Sequence, residues 1–456
     1  MRFLWAASAV ALAAVTAHAA PRHERVVLPN GLVVLAIEDH SSGIAAFHLG
    51  VRLGWGTPGP FPRGVAALAQ QVNKQRLTRW LTDPKWSLLH EETQDGGILT
   101  LNAEADFLEA RGQATDANLE RALALAGKSL FEAGEPTEPD VAEAKGTLLA
   151  ANQTAMQRVV EVTYYELTRA LYGRGSSLAG PVWGTDDDLL HVNASEVSGL
   201  ARQRLGPNNA CLCVVGPRSA SSLAELARET FGGYGAAQQT VDPSPRVELG
   251  SPKVSVATLA GWRGASVMVG VPVPGYGERG HLAAQLAYMI LSGPDGRVAQ
   301  DPSIEETLGL NHIAAPAQSD TPVSLLPPMA GPRPFMAAHV AAQPRQVEAA
   351  RRLLLAHFLA FAETPPSGEE MGRARKRLVN ASALSLLSRI NVAKALNLCQ
   401  LYGADHERQW RLQEDVLSIR AEEITAMARE YFRHHAVGVV LPGYDERLEL
   451  PEEDSR

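Results

Sequence analysis

Apolar residues along this chain follow two rhythms. Short runs rich in Val, Leu and Ile fall at Val26 to Ile37, Phe47 to Leu53, Gly97 to Ala103, Cys211 to Val215, Ser266 to Val273 and Val437 to Leu441, and they predict strands. Between them lie longer stretches with helical spacing. Asn118-Leu119-Glu120-Arg121-Ala122 opens one such helix, which ends near Gly134-Glu135-Pro136-Thr137-Glu138. A second helix containing Ala144-Lys145 follows. The same plan recurs about 230 residues on. There Gln346-Val347-Glu348-Ala349-Ala350 opens a long helix, Pro365-Pro366-Ser367-Gly368-Glu369-Glu370 breaks it, and the next helix contains Ala374-Arg375. A spacing kept over two helices and the turn between them predicts two homologous domains in tandem. The stretch from Gly232-Gly233-Tyr234-Gly235 through Pro243-Ser244-Pro245 to Gly250-Ser251-Pro252 is rich in Gly, Pro and Ser and reads as the linker. The predicted class is α+β, with residues 20–236 and 253–456 as the domains and 237–252 between them.

The first residues change the picture of where the chain works. Arg2, an apolar run from Phe3 to Val15 and the small-x-small triplet Ala17-His18-Ala19 have the form of a secretory signal peptide over residues 1–19. The run falls short of the roughly 20 residues a membrane span requires, and no later stretch is longer. The expected location is the periplasm, with no membrane span. Net charge is −8 with both signs interspersed, so nucleic acid is not an expected partner. The three cysteines, Cys211, Cys213 and Cys399, are too few and odd in number for a disulfide framework. Cys211 and Cys213 sit two apart in one strand, share a face, and read as small buried hydrophobes.

The candidate chemistry lies in Gly64-Val65-Ala66-Ala67-Leu68-Ala69-Gln70-Gln71-Val72. Upstream stand Leu28-Pro29-Asn30-Gly31-Leu32-Val33-Val34 and Phe47-His48-Leu49-Gly50-Val51-Arg52-Leu53-Gly54. Downstream come Leu171-Tyr172-Gly173, Gly180-Pro181-Val182-Trp183-Gly184-Thr185, Asp187-Asp188-Leu189-Leu190 and Leu205-Gly206-Pro207-Asn208-Asn209. In order and spacing these pieces resemble the pitrilysin/insulinase family of zinc peptidases, the inverzincins, whose helical signature is His-x-x-Glu-His. The resemblance implies the mitochondrial-processing-peptidase-like metallohydrolase fold, two tandem domains that are each a mostly antiparallel sheet covered by helices. It places the first ligand His at Ala67, the general base at Gln70, the second ligand at Gln71 and the third, a Glu, at Ala151. A methyl group has no lone pair to donate, and a neutral amide is a poor ligand and no base near neutral pH. The Arg and Tyr with which the family's second domain grips substrate and polarises the scissile carbonyl fall at Glu305 and His312. A carboxylate there would repel an oxyanion.

The resemblance therefore implies a scaffold without catalytic residues, without a metal site and without a cofactor of its own. It predicts a non-catalytic subunit that supplies half of a peptide-binding chamber. A homologous active zinc-peptidase subunit would carry the zinc, and peptides would be the ligands. The alternatives are a peptide-binding or structural envelope module with no proteolytic role and, last, an active zinc peptidase with a relocated site.

Other clusters read as structural. His90-Glu91-Glu92 lacks a second His one turn away. His434-His435 point to opposite faces. Ser266, in Gly264-Ala265-Ser266-Val267-Met268, lacks the second Gly of a nucleophile elbow. Arg297 falls on a family position associated with helix packing. Glu104, Asp106 and Glu109 read as a hydrated sheet edge.

Overall fold

The computed structural model describes residues 21–54, 56, 61–81, 99–132, 135–181, 183–241, 250–308, 323–328, 331 and 333–443. The first half runs β1 (His23–Val27), β2 (Val33–Glu38), β3 (Ile44–Val51), α1 (Val65–Leu81), β4 (Leu99–Ala103), β5 (Leu108–Thr115), α2 (Leu119–Phe131), α3 (Glu138–Met156), α4 (Val159–Tyr172), α5 (Asp186–His191), α6 (Ala194–Arg204), β6 (Ala210–Gly216) and α7 (Ala220–Phe231). The second runs β7 (Lys253–Leu259), β8 (Ala265–Pro272), α8 (Arg279–Leu291), α9 (Ser303–Leu308), β9 (Val323–Leu326), β10 (Phe335–Ala342), α10 (Val347–Glu363), α11 (Gly368–Ser385), α12 (Arg389–Leu401), α13 (Arg408–Ser418), α14 (Ala421–Tyr431) and β11 (Ala436–Pro442).

The run Val26 to Ile37, expected as one strand, is a hairpin instead. Pro29, Asn30 and Gly31 break it, Gly31 takes φ +88°, and β1 folds back on β2 with Val26 opposite Val34. The predicted strand at Gly97 to Ala103 begins, among the described residues, at Leu99.

The strands form two sheets, ordered β1-β2-β6-β3-β5-β4 and β7-β11-β8-β10-β9. In each, one neighbouring pair is parallel, β2 with β6 and β7 with β11, and the other pairings are antiparallel. Apart from the added β1, the two topologies superpose strand for strand, which is the duplication the helix spacing predicts.

Caps repeat as well. Thr137 accepts from the Asp140 amide while the Asp140 carboxylate accepts from the Thr137 amide, and Ser367 and Glu370 form the same box at the start of α11. Asp140 pairs with Arg76 and Arg79 of α1. Glu370 pairs with Arg297, at 2.7 Å, whose guanidinium lies over the Phe361 ring, the packing role expected for it.

Each sheet is covered on one face by its own half's helices and on the other by a helix from the other half. α12 lies across β3 and β6, and α4 lies across β11, β7 and β8. This exchange explains why β6 and β8 are buried at every residue and, Ser266 apart, carry no polar side chain. It also explains Gly438 in the middle of β11. A Cβ there would stand 2.4 Å from the Leu167 amide nitrogen and the Thr163 carbonyl oxygen of α4, so only glycine lets that helix come so close. α12 is held at both ends. Arg389 reaches back to Asp39 at 2.6 Å, and Arg52 donates to the Leu401 and Gln400 carbonyls at 2.9 Å, where a helix leaves its last acceptors unpaired.

Candidate functional site

Gly64 starts α1 with φ +83°, and a Cβ on it would lie 2.9 Å from both Leu189 and the Trp183 carbonyl. A side chain is excluded on conformational and steric grounds alike. The helix then presents Ala67 and Gln70 to the interior and Gln71 to a half-buried flank. α3 packs against α1, and Asp140 and Glu143 at its start pair with Arg76 and Arg79 toward the end of α1. That antiparallel register brings Ala67 and Gln71 opposite the last turns of α3, where Ala151 is half buried. The four sequence positions assigned to the two zinc-binding helices thus lie on packed, facing helices. Glu305 lies in α9, but its side chain and all of His312 lie outside the described residues, as does His90-Glu91-Glu92.

The donors do not fit a zinc ion. Ala67 and Ala151 have only methyl groups, and Gln71 offers at best one carbonyl oxygen. Among the described residues no group of three His, Cys, Asp or Glu side chains could hold a metal. Gln70 is 4% exposed, and neither its carbonyl oxygen nor its amide nitrogen has a hydrogen-bond partner. A buried amide with both functions unmet costs on the order of 1–3 kcal/mol per group.

The expectation of a hydrated edge at Glu104, Asp106 and Glu109 fails at Glu109, whereas Glu104 keeps 42% of its side chain exposed. Glu109 is fully buried at the centre of a charge network. His48 donates through Nε2 at 2.8 Å and Lys394 of α12 stands at 2.9 Å, both on Oε2, while Asn102 donates to Oε1 at 3.0 Å. Arg111 adds a second cation at 3.6 Å. Burial alone would raise the Glu109 pKa, but the His48 hydrogen bond, then Lys394 and Asn102, outweigh it and hold the carboxyl at about 2. Burial keeps His48 neutral. Asp106 is pushed the other way, to about 7, by burial that the hydrogen bond from Tyr402 and the charge of Arg333 only partly offset. The edge reading missed that α12, from the far half of the sequence, covers this face; strand alternation cannot reveal a cover supplied about 280 residues away.

The remaining clusters behave as structure. Cys211, Cys213 and Cys399 are free and buried, and burial raises all three thiols. Ser266 is buried in β8, bonded to Thr163 at 2.7 Å and to His339 at 2.8 Å, with no route for a substrate. His434 meets the Gly250 carbonyl at 2.6 Å.

Residues 191–378 match the family described as the peptidase M16 inactive domain. Among solved structures the chain is similar to a protease from Helicobacter pylori, with TM-score 0.76 and 16% identity over 93% of this chain and 100% of that one. It is as similar to the peptidase M16 inactive domain from Pseudomonas fluorescens, with TM-score 0.76 and 16% identity over 92% and 98%. A putative M16-like peptidase from Alicyclobacillus acidocaldarius follows, with TM-score 0.71 and 16% identity over 92% and 98%. No curated protein matches.

Proposed function

Taking this chain as a catalytically degenerate, pitrilysin-like member of the M16 peptidases, we propose that it is the non-catalytic subunit of a two-chain peptidase. The observation that carries the proposal is the α1–α3 pair. α1, with its Gly64 start, packs on α3 and is paired to it through Arg76 and Arg79 with Asp140, while Ala67, Gln70, Gln71 and Ala151 stand at the positions the resemblance assigns to the zinc ligands and the base. A scaffold kept without its chemistry is consistent with selection for shape and surface. The zinc, the general base and the bond cleavage belong in this proposal to a homologous partner, and the present chain supplies chamber wall. β4 ends its sheet, and an extended peptide can add to such an edge through main-chain hydrogen bonds. A chain of complex III2 from Candida albicans shares the fold at TM-score 0.69 and 16% identity, which supports use of this scaffold inside an assembly. The leader-like residues 1–19 point the complex to the periplasm.

Affinity purification from periplasm tests the reading. Recovery of a homologue bearing His-x-x-Glu-His in near-equal amount, with peptide hydrolysis only in the mixture, is the expected result. The chain alone should hold no stoichiometric zinc after dialysis. Recovery of a lone monomer or homodimer would instead favour a peptide-binding or structural module, a reading that Glu305 and His312 in place of the substrate-gripping pair already favour.

A further inference from the structure

We propose that the cavity at the start of α1 binds the terminal carboxylate of a peptide together with its last, apolar side chain. The cavity encloses about 410 Å³ and lies where the two halves meet: Arg63 and Arg204 come from the first half and Arg333 from the second. Ser176 and Ser177 complete its polar lining, and no acidic residue lines it among the described residues. A pocket bearing three guanidinium groups in a chain of net charge −8 is a local reversal of sign.

The three cations are poorly neutralised by the protein itself. Arg204 has no ion pair or hydrogen-bond partner for its guanidinium among the described residues. Arg63 donates to the Ala179 carbonyl, and its nearest carboxylate, Asp188, stands 3.8 Å from Nε, beyond hydrogen-bond reach. Arg333 faces Asp106, the carboxyl that burial keeps largely protonated up to neutral pH. The first turn of α1, a helix of 17 residues with no acid in that turn, points its positive end into the same space. Planar guanidinium groups match carboxylates in paired hydrogen bonds.

The apolar wall separates a peptide terminus from a free inorganic anion. Leu53, Val65 and Leu200 back the cavity with side chains already buried, and Phe61, partly exposed, stands beside the arginines; phosphate would leave that ring wet, whereas a C-terminal leucine or phenylalanine would cover it. Val65 and Ala66 precede Ala67 directly, so a peptide anchored here would end beside the degenerate catalytic position. The assignment rests on the peptide-binding reading above for its ligand class, but it needs no partner chain.

The experiment uses the mature chain by itself and follows fluorescence anisotropy of a labelled tetrapeptide, Ala-Gly-Ala-Leu, as free acid and as C-terminal amide. The free acid should bind at least tenfold more tightly than the amide, and Arg204→Gln and Arg333→Gln should each lose about tenfold. Arg228→Gln, on the far surface of α7, should change nothing. Equal binding of acid and amide, no binding of either, or full affinity in both cavity variants would overturn the proposal. So would binding of inorganic phosphate, by calorimetry, with no peptide preference, since that assigns the cavity to a free anion. Because no partner is present, a negative result here leaves the two-chain reading standing, and failure to recover a partner leaves this site standing.

Discussion

The two exchanged helices meet their sheets in opposite ways. Where α12 crosses the first sheet, the inward residues of β3 and β5 are His48 and Glu109, joined to Lys394 of the helix. Where α4 crosses the second sheet, the residues on the matching strands are Met268 of β8 and Ala337 of β10, packed with Leu167 and Ala170. At these matching strand positions the duplicated fold carries buried charge once and hydrocarbon once, although α4 brings its own buried acid, Glu166, to Ser255 of β7. The apolar version shows that the topology does not need the charges. The charges add direction: Glu109 accepts from His48 and Asn102 and meets Lys394 of α12. On the α4 side Thr163 donates to Ser266 of β8, and Ser255 of β7 donates to the buried Glu166 carboxylate, which pairs with Arg169.

The largest effect should come from breaking the charged contact at one point. Glu109→Ala leaves the buried His48 and the Asn102 amide without their acceptor and Lys394, 27% exposed, with only Glu104 at 3.9 Å, and a loss of about 3–5 kcal/mol in urea unfolding is expected. A loss below about 1 kcal/mol would show that Lys394 escapes to water and that the network is ornamental. Next comes Met268→Ala on the other interface. A cavity under α4 should cost about 2–4 kcal/mol. The comparison sharpens when the first interface is rebuilt on the plan of the second, as His48→Met, Glu109→Ala and Lys394→Met together. Removing carboxylate, imidazole and ammonium together leaves none of the three stranded and keeps only the part-exposed Arg111 and Glu104, so the triple variant should lie within about 1–2 kcal/mol of the native chain and well above Glu109→Ala alone. If it is worse than the single variant, the two interfaces are not interchangeable and the pseudo-symmetry argument fails.

What the sequence made legible follows from what is local. Helix starts were readable because Thr137 and Ser367 sit three residues before an acid, with proline close by, and these caps act over one turn. The strands of β6, β8 and β11 were readable as unbroken apolar runs. β5 was not, because it alternates Glu109, Arg111 and Gln113 with small residues, and of that face only Glu109 is buried by the helix from the other half. The degenerate site was legible in the same limited sense. Ala67, Gln70 and Gln71 could be located from their glycine and their spacing, but that Gln70 is buried with both amide functions unmet is a fact of packing. Arg63, Arg204 and Arg333 are too far apart in sequence for any spacing rule to join them.

The smallest effect concerns Asp106, at the seam between the halves, and its sign follows from its pKa. Burial lifts the carboxyl from 3.8 to about 7 in the folded chain, against the pull of Tyr402 and Arg333 and with help from Glu104. A carboxyl raised on folding stabilises the fold fully below its unfolded pKa, and that contribution drains away as pH rises through 7. The native chain should therefore lose stability between about pH 4 and pH 8, on the order of 1 kcal/mol, a magnitude cut by the residual water contact of a half-buried side chain. Asp106→Asn keeps a neutral group of the same shape and should flatten this slope while leaving the first-sheet network intact. Glu109 acts at the other end of the scale: its carboxyl, held at about 2, supports the fold above its ordinary pKa and lets go only as pH falls toward 2. Urea unfolding at pH 5 and at pH 8 separates the two. Parallel losses in the native and Asp106→Asn chains would show that the pH dependence arises elsewhere and that Asp106 is ionised in the folded seam.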